Sequence, residues 1–245
     1  MKNNYRHFLC AAVASAMLAG AAQAGEMTKE VIAPLPEPEP WWSAELAVGY
    51  DSLYMFRGVK FAENLVYSDL SFSAFDFTLG AWYANSATQT QYDELNIYLD
   101  YTYASDFGVD LSVGVIYFNF PFDGGSDTWE LYAGLGTDLG FVSPSLFFYY
   151  DVDAIDGGYL EFALESSYPL TDAISLDPYA LISYDFGYNS GGNDLNHVEF
   201  GAALSIALSD NISLAPYVAV SIPLDAIDDS QDTEVWGGAS VAFSF

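Results

Sequence analysis

Basic residues are scarce in this chain of 245 residues: five Lys and Arg stand against 34 Asp and Glu, for a formal charge of −29. A protein that binds nucleic acid neutralises phosphates with Lys and Arg, so that class is excluded and no nucleic-acid partner is expected. Cysteine occurs once and histidine twice. No segment after the leader shows an apolar stripe of helical period. High net charge accompanies disorder only where aromatics are few. Here 19 Tyr, 18 Phe and 5 Trp point to an ordered fold.

The first 24 residues are a separate object. Lys2 and Arg6 precede an apolar run from Phe8 to Ala22, and Ala22-Gln23-Ala24 is a small-residue cleavage site. This is the pattern of a secretory signal peptide cleaved after Ala24, too short and wrongly flanked for a spanning helix. Cys10 follows His7-Phe8-Leu9 and precedes the apolar stretch, which is the wrong order for a lipoprotein. Cleavage leaves no cysteine, one histidine (His197) and three basic residues (Lys29, Arg57, Lys60), hence a charge of −31. Disulfides, thiolate metal sites, cysteine nucleophiles and multi-histidine metal sites are then unavailable, and neither cofactor nor metal is expected. Residues 25–41, with the run Ala33-Pro34-Leu35-Pro36-Glu37-Pro38-Glu39-Pro40, read as an extended periplasmic tether.

From Trp42 to Phe245 the pattern has period two. Leu95, Ile97, Leu99, Tyr101 and Tyr103 alternate with Glu94, Asn96, Tyr98, Asp100 and Thr102, so one strand face is apolar and the other polar. Twelve such segments begin near Trp42, Leu65, Phe77, Asp93, Gly108, Thr128, Ser143, Gly158, Ile174, Leu195, Ile212 and Thr233. Tight junctions at Phe75-Asp76, Ala104–Phe107, Gly140–Val142 and Ser209–Asn211 alternate with longer ones at Ser52–Asn64, Ser86–Tyr92, Pro121–Asp127, Ala154–Gly157, Tyr188–Asp194 and Pro223–Asp232. An even strand number with short turns on one side and long loops on the other predicts an all-β, up-and-down antiparallel transmembrane barrel over residues 42–245.

A soluble β-sandwich also shows alternating strands. Three features favour the barrel. The apolar faces carry no charge, as a lipid-facing wall requires, while the other faces carry Glu45, Asp51, Asp69, Glu94, Asp100, Asp110, Glu130, Asp138, Asp151, Glu161, Glu165, Asp177, Asp185, Glu199 and Glu234. Aromatics collect at both ends of the apolar faces, with Trp41, Trp42, Tyr103, Tyr168 and Phe243 at one and Tyr50, Tyr117, Trp129, Tyr150 and Tyr184 at the other. Such girdles mark the two membrane interfaces. The sequence ends on Phe245, an aromatic of the kind read as a sorting mark by outer-membrane assembly machinery. The expected location is the outer membrane of a Gram-negative-type bacterium, with its lipid and that machinery as partners.

The opening strand, Ala44-Glu45-Leu46-Ala47-Val48-Gly49-Tyr50-Asp51-Ser52-Leu53-Tyr54-Met55-Phe56-Arg57-Gly58, carries a Tyr-x-Phe-Arg-Gly motif, and Gly80-Ala81-Trp82 supplies a later Gly-x-Trp. Residues 44–86 resemble the TorF-like putative porin family. The resemblance implies an outer-membrane barrel.

Alternation places the pore-lining acids Glu45, Asp69, Asp100, Glu130, Glu161, Glu165, Asp177 and Glu199 on the inner face, with Tyr98, Tyr132, Tyr149, Tyr159, Tyr179, Tyr217 and Trp236 as inner aromatics that narrow the pore. Twelve strands lie between the filled interior of eight and the aqueous channel of sixteen, so the pore should be narrow. Its acids should attract cations and repel anions. The expected function is a cation-preferring, porin-like channel for small neutral or cationic solutes. A side-chain-plugged structural or surface-interaction barrel and a lipid-modifying barrel enzyme are the alternatives. Arg57 and Lys60 sit in or just below the first long loop. Either that loop bends inward and bidentate contacts to carboxylates pin it in the pore, or Arg57 snorkels to headgroups. A barrel lipase needs Ser and His at close strand spacing on the lipid side. His197 shares the polar face with Glu199, so no catalytic residue is assigned. Asp151, Asp153, Asp156 and Gly157, and the run Asp225, Asp228, Asp229 and Asp232, depart from calcium-loop spacing. They offer weak divalent-cation binding or simply solvated loops.

Overall fold

A computed structural model describes residues 41–88, 92–121, 125–189 and 192–245. The leader and residues 25–40 of the tether lie outside the described residues.

The strands are β1 (Trp42–Phe56), β2 (Val59–Ala74), β3 (Phe77–Ser86), β4 (Asp93–Ala104), β5 (Val109–Asn119), β6 (Thr128–Thr137), β7 (Ser143–Asp151), β8 (Gly158–Glu165), β9 (Tyr168–Thr171), β10 (Ile174–Phe186), β11 (Asn193–Ser209), β12 (Ile212–Pro223) and β13 (Glu234–Ser244). Apart from β9, each pairs antiparallel with its neighbour in sequence, β8 with β10, and β13 returns to β1, from Glu45 opposite Ser244 to Asp51 opposite Gly238. That pairing closes a twelve-strand barrel and leaves the ring without a free edge. The seam runs to the last residue, whose N–H donates to the Ala44 carbonyl at 2.9 Å. The four-residue β9 is an extra piece: it continues the line of β8 along β10, with Glu165 opposite Tyr179 and Tyr168 opposite Leu176.

The alternation in sequence becomes inside and outside. Along β4, Asp100 is 1% exposed and its neighbour Leu99 42%; along β6, Glu130 is 0% exposed and Leu131 52%. Large apolar side chains outside and carboxylates inside invert a soluble protein's arrangement and fit a wall bathed in lipid. The outward aromatics pair near the ends of the wall, as in Tyr117 with Trp129 at 4.7 Å and Trp42 with Phe72 at 5.8 Å.

Eleven of the expected strand starts fall within two residues of those observed. The second differs. β2 begins at Val59, so most of the stretch expected as a long loop, Ser52–Asn64, is strand joined by a two-residue turn at Arg57-Gly58. Alternation fails there because Tyr54, Met55 and Ala62, which do not follow one parity, are all buried. A bulge at Tyr54/Met55 shifts the register, and bulges sharpen local bend and twist. Asp138 is an exposed residue of the β6–β7 turn, where its carboxylate accepts the Gly140 N–H at 2.7 Å, and so is not on the wall.

Candidate functional site

The wall is built from one repeated contact. Tyr98 lies across Gly80 of the adjacent strand, in space a Cβ would fill, and its hydroxyl donates to Asp69 at 2.9 Å. Tyr132 lies across Gly114 and donates to Asp100, also at 2.9 Å. Tyr179 donates to Glu199 and Tyr217 to Asp51, each at 2.6 Å. A glycine lets the ring lie against the wall, and the acid two strands away, or on the next strand, holds the phenol there. Tyr98 and Tyr132 thus stand on the inner face, as alternation places them, with their rings laid along the wall because the adjacent glycine leaves room.

Asp100, Glu130, Asp177 and Glu199 are buried, and Glu45, Asp69, Glu161 and Glu165 half-buried. Asp177 accepts from Ser167 at 2.5 Å and Ser175 at 3.0 Å. Glu161 accepts from Tyr159 at 3.4 Å. Most of these donors are neutral hydroxyls, which satisfy the carboxylates without cancelling their charge.

The basic exception is Arg57. In a ring of twelve, β1 and β2 stand opposite β6 to β8, yet the Arg57 guanidinium meets residues of all three. Nη1 and Nη2 donate to the two oxygens of Glu130 on β6, at 2.5 and 2.7 Å. Cζ lies 4.5 Å from the Tyr149 ring centroid on β7, 4.8 Å from Tyr159 on β8, 4.4 Å from Tyr188 and 4.7 Å from Phe56. The tip of the β1–β2 hairpin thus crosses the lumen at the long-loop end. Of the two readings of Arg57, the inward one is observed and the headgroup one is not. The other side of the tip is held as well. The Arg57 carbonyl accepts from the amides of Asn189 at 3.4 Å and Asn196 at 3.3 Å. Gly58, at φ 78°, sits against the His197 ring and Ile227. Apolar packing supports the bend: Phe56 packs on the inward cluster of Ile116, Phe118, Phe147 and their tyrosine neighbours.

Lys60 does not join this site. It pairs with Glu63 at 2.8 Å and Glu234 at 3.4 Å, and is a third exposed. Trp236 is buried with Met55 and Ala219. Phe245 is exposed at the end of the seam. Asp151, expected in an acidic loop, accepts from the Thr128 hydroxyl at 2.7 Å and the N–H groups of Asp153 and Ile155, and so caps its own loop. Among the described residues, no three ligating side chains are grouped to hold a metal. Asp127, at the foot of an exterior loop, is held below the ordinary carboxylate range by the Tyr117 hydroxyl, then by the Phe120 N–H and the Asn119 amide.

Sequence reasoning missed Ser183. Its Oγ is 2.8 Å from His197 Nδ1, and His197 Nε2 is 3.8 Å from Glu199. The order and residue types are those of a hydrolytic triad, but the geometry serves structure. Ser183 Oγ is also 3.3 Å from both the N–H and the carbonyl of His197, and Gly58 covers the imidazole. Ser183 and His197 are 2% and 1% exposed, which leaves no room for an acyl group. Phe118, Phe147 and Tyr188 were also missed. Parity alone places Phe118 and Phe147 inward; Tyr188 lies beyond β10, where parity has no meaning.

No protein-family model and no characterised protein sequence matches this chain, so the TorF-like resemblance rests on the motifs within residues 44–86. Solved structures do match in fold. A KdgM porin in complex with disordered oligogalacturonate aligns with a TM-score of 0.54 at 14% identity, over 83% of this chain and 99% of that one. The NanC porin aligns at 0.54 and 11%, over 82% and 98%. An outer membrane channel from Pseudomonas putida F1 aligns at 0.51 and 13%, over 88% and 100%. The fold is that of outer-membrane porin-like barrels.

Proposed function

We propose that this protein is an outer-membrane channel for small neutral or cationic solutes, narrow, cation-preferring and gated by the β1–β2 hairpin. The carrying observation is the inner wall, where buried and half-buried carboxylates are met mainly by hydroxyl donors, with Arg57 as the base among them. Uncancelled acids in a low-dielectric bore concentrate cations and exclude anions. Oligogalacturonate, bound by one porin of the same fold, carries carboxylates; a wall of carboxylates suits solutes of the opposite sign or none. The hairpin lying across the lumen favours a resting state of low conductance, opened when the Arg57–Glu130 contact breaks. The signal-peptide pattern of the first 24 residues, the largely apolar outer faces and the Phe245 seam support export to the outer membrane, and the covered Ser183 and His197 support a barrel without catalysis.

The test is a reversal potential across a salt gradient in a planar bilayer. Cation preference is expected, weakening between 0.1 M and 1 M salt as the Debye length falls from about 10 Å to about 3 Å. Arg57→Ala should raise conductance. Anion preference at low salt would overturn the selectivity. A wild type and an Arg57→Ala variant that are both silent would identify a sealed structural barrel.

A further inference from the structure

We infer that the cage around Arg57 is a binding site for organic cations, guanidinium or quaternary ammonium groups, which the chain fills with its own side chain until a solute of that class displaces it. This deepens the channel reading and rests on it. Four aromatic rings stand within 4.4–4.8 Å of the guanidinium carbon, and Glu130 grips both terminal nitrogens. Ring faces and a carboxylate are the composition that recognises an alkylated or delocalised cation. A small metal cation holds its water more tightly and gains less from rings, whereas guanidinium is weakly hydrated.

Most of the cage stands without its occupant. Tyr159 packs between Tyr149 and Tyr188, at a centroid distance of 6.2 Å from each, and Tyr132 backs Tyr149 at 5.6 Å. Only Phe56 belongs to the hairpin. If the hairpin withdraws, three rings and Glu130 stay in place. The Tyr149 hydroxyl is buried with no hydrogen-bond partner among the described residues, a free polar valence at the cage that Arg57 does not use. The acidic wall delivers cations to this point, and a cation that takes the cage from Arg57 releases the hairpin. The solute then competes with an intramolecular ligand, so its apparent affinity for the wild type falls by the fraction of time the cage is vacated.

The experiment compares wild type, Arg57→Ala and Arg57→Ala/Glu130→Gln in planar bilayers, with methylguanidinium chloride against sodium chloride at equal ionic strength. In Arg57→Ala, methylguanidinium should enter the vacant cage and reduce the current at concentrations at least tenfold below those affecting wild type. Adding Glu130→Gln should weaken that block about tenfold. Equal effects of methylguanidinium and sodium on a conducting Arg57→Ala channel would overturn the cage and leave the channel reading intact. Should Arg57→Ala not fold, Arg57→Lys places a weaker competitor in the cage, and methylguanidinium must then act at a lower concentration than on wild type; an unchanged concentration would overturn the proposal. If no form conducts, the channel reading fails, and thermal unfolding of the detergent-solubilised barrel reads the cage alone. Millimolar methylguanidinium that stabilises the vacant-cage variant over wild type supports the site, and no difference overturns it.

Discussion

Two turns of this barrel have nearly the same backbone and opposite fates. Phe75 and Asp76, between β2 and β3, have φ of 51° and 66°; Arg57 and Gly58, between β1 and β2, have φ of 53° and 78°. Paired left-handed residues are the two-residue hairpin solution whose twist matches that of the strands. Phe75 is 72% exposed and stacks on Trp41 at 5.0 Å, near the membrane rim. Arg57 is 8% exposed on the far side of the lumen. Local turn geometry does not separate them. The separation comes from the strand ends above Ser52 and Asn64, which bulge at Tyr54/Met55 and offer apolar and charged groups to the opposite wall.

Removing the far-wall contact should have the largest effect. Arg57→Ala strands a buried Glu130, and loss of one partner from a buried ion pair costs about 3–5 kcal/mol. Phe75→Ala loses one exposed aromatic pair, about 0.5–1.5 kcal/mol. Urea unfolding of the detergent-solubilised barrel, followed by tryptophan fluorescence, checks both, and equal losses would erase the distinction between the turns.

The next test exchanges residue types at the second turn position. Gly58→Ala forces a side chain into left-handed backbone, roughly 1–2 kcal/mol, and places its Cβ 2.8 Å from both the His197 ring and Ile227. It should destabilise by at least that amount and raise conductance by lifting the hairpin. At the exposed turn, Asp76→Gly relieves left-handed strain while adding freedom to the unfolded chain, so the net change should stay under about 1 kcal/mol. Paired melting curves measure the contrast.

The smallest effect concerns an exterior loop that leaves the lumen alone. Asp127, with its carboxyl pulled down by Tyr117, should titrate with a midpoint below the ordinary 3.8. Because the folded value is depressed, its contribution is present above the ordinary carboxylate range and lost as pH falls through the folded value. The Phe120 amide shift in an NMR titration reads this directly, and Asp127→Asn should abolish it while leaving channel conductance within error.

Legibility in the sequence follows the environment of each segment. Strands with lipid on one side and lumen on the other, such as β4 with Leu99 out and Asp100 in, announce themselves by alternation, and their starts are legible to within two residues. The β1–β2 extension has protein on both sides. Tyr54, Met55 and Ala62 show no alternation, so strand reads as loop. Parity also locates Asp100 and Glu130 but cannot say that Tyr132 bonds the first while Arg57 grips the second, because those partners sit 32 and 73 residues away.

What the sequence determines by itself is the class of wall. Period-two patterning, charge confined to one face, and a chain nearly stripped of bases leave a lipid-compatible barrel with an acidic interior as the consistent solution, since each face sees one solvent over its whole length. What only the tertiary structure decides is the interior arrangement. Whether Arg57 reaches headgroups or Glu130 depends on the hairpin's bend, and that bend is set by groups on the opposite side of the ring. Closure of the barrel brings those groups together, and spacing along the chain carries no record of it.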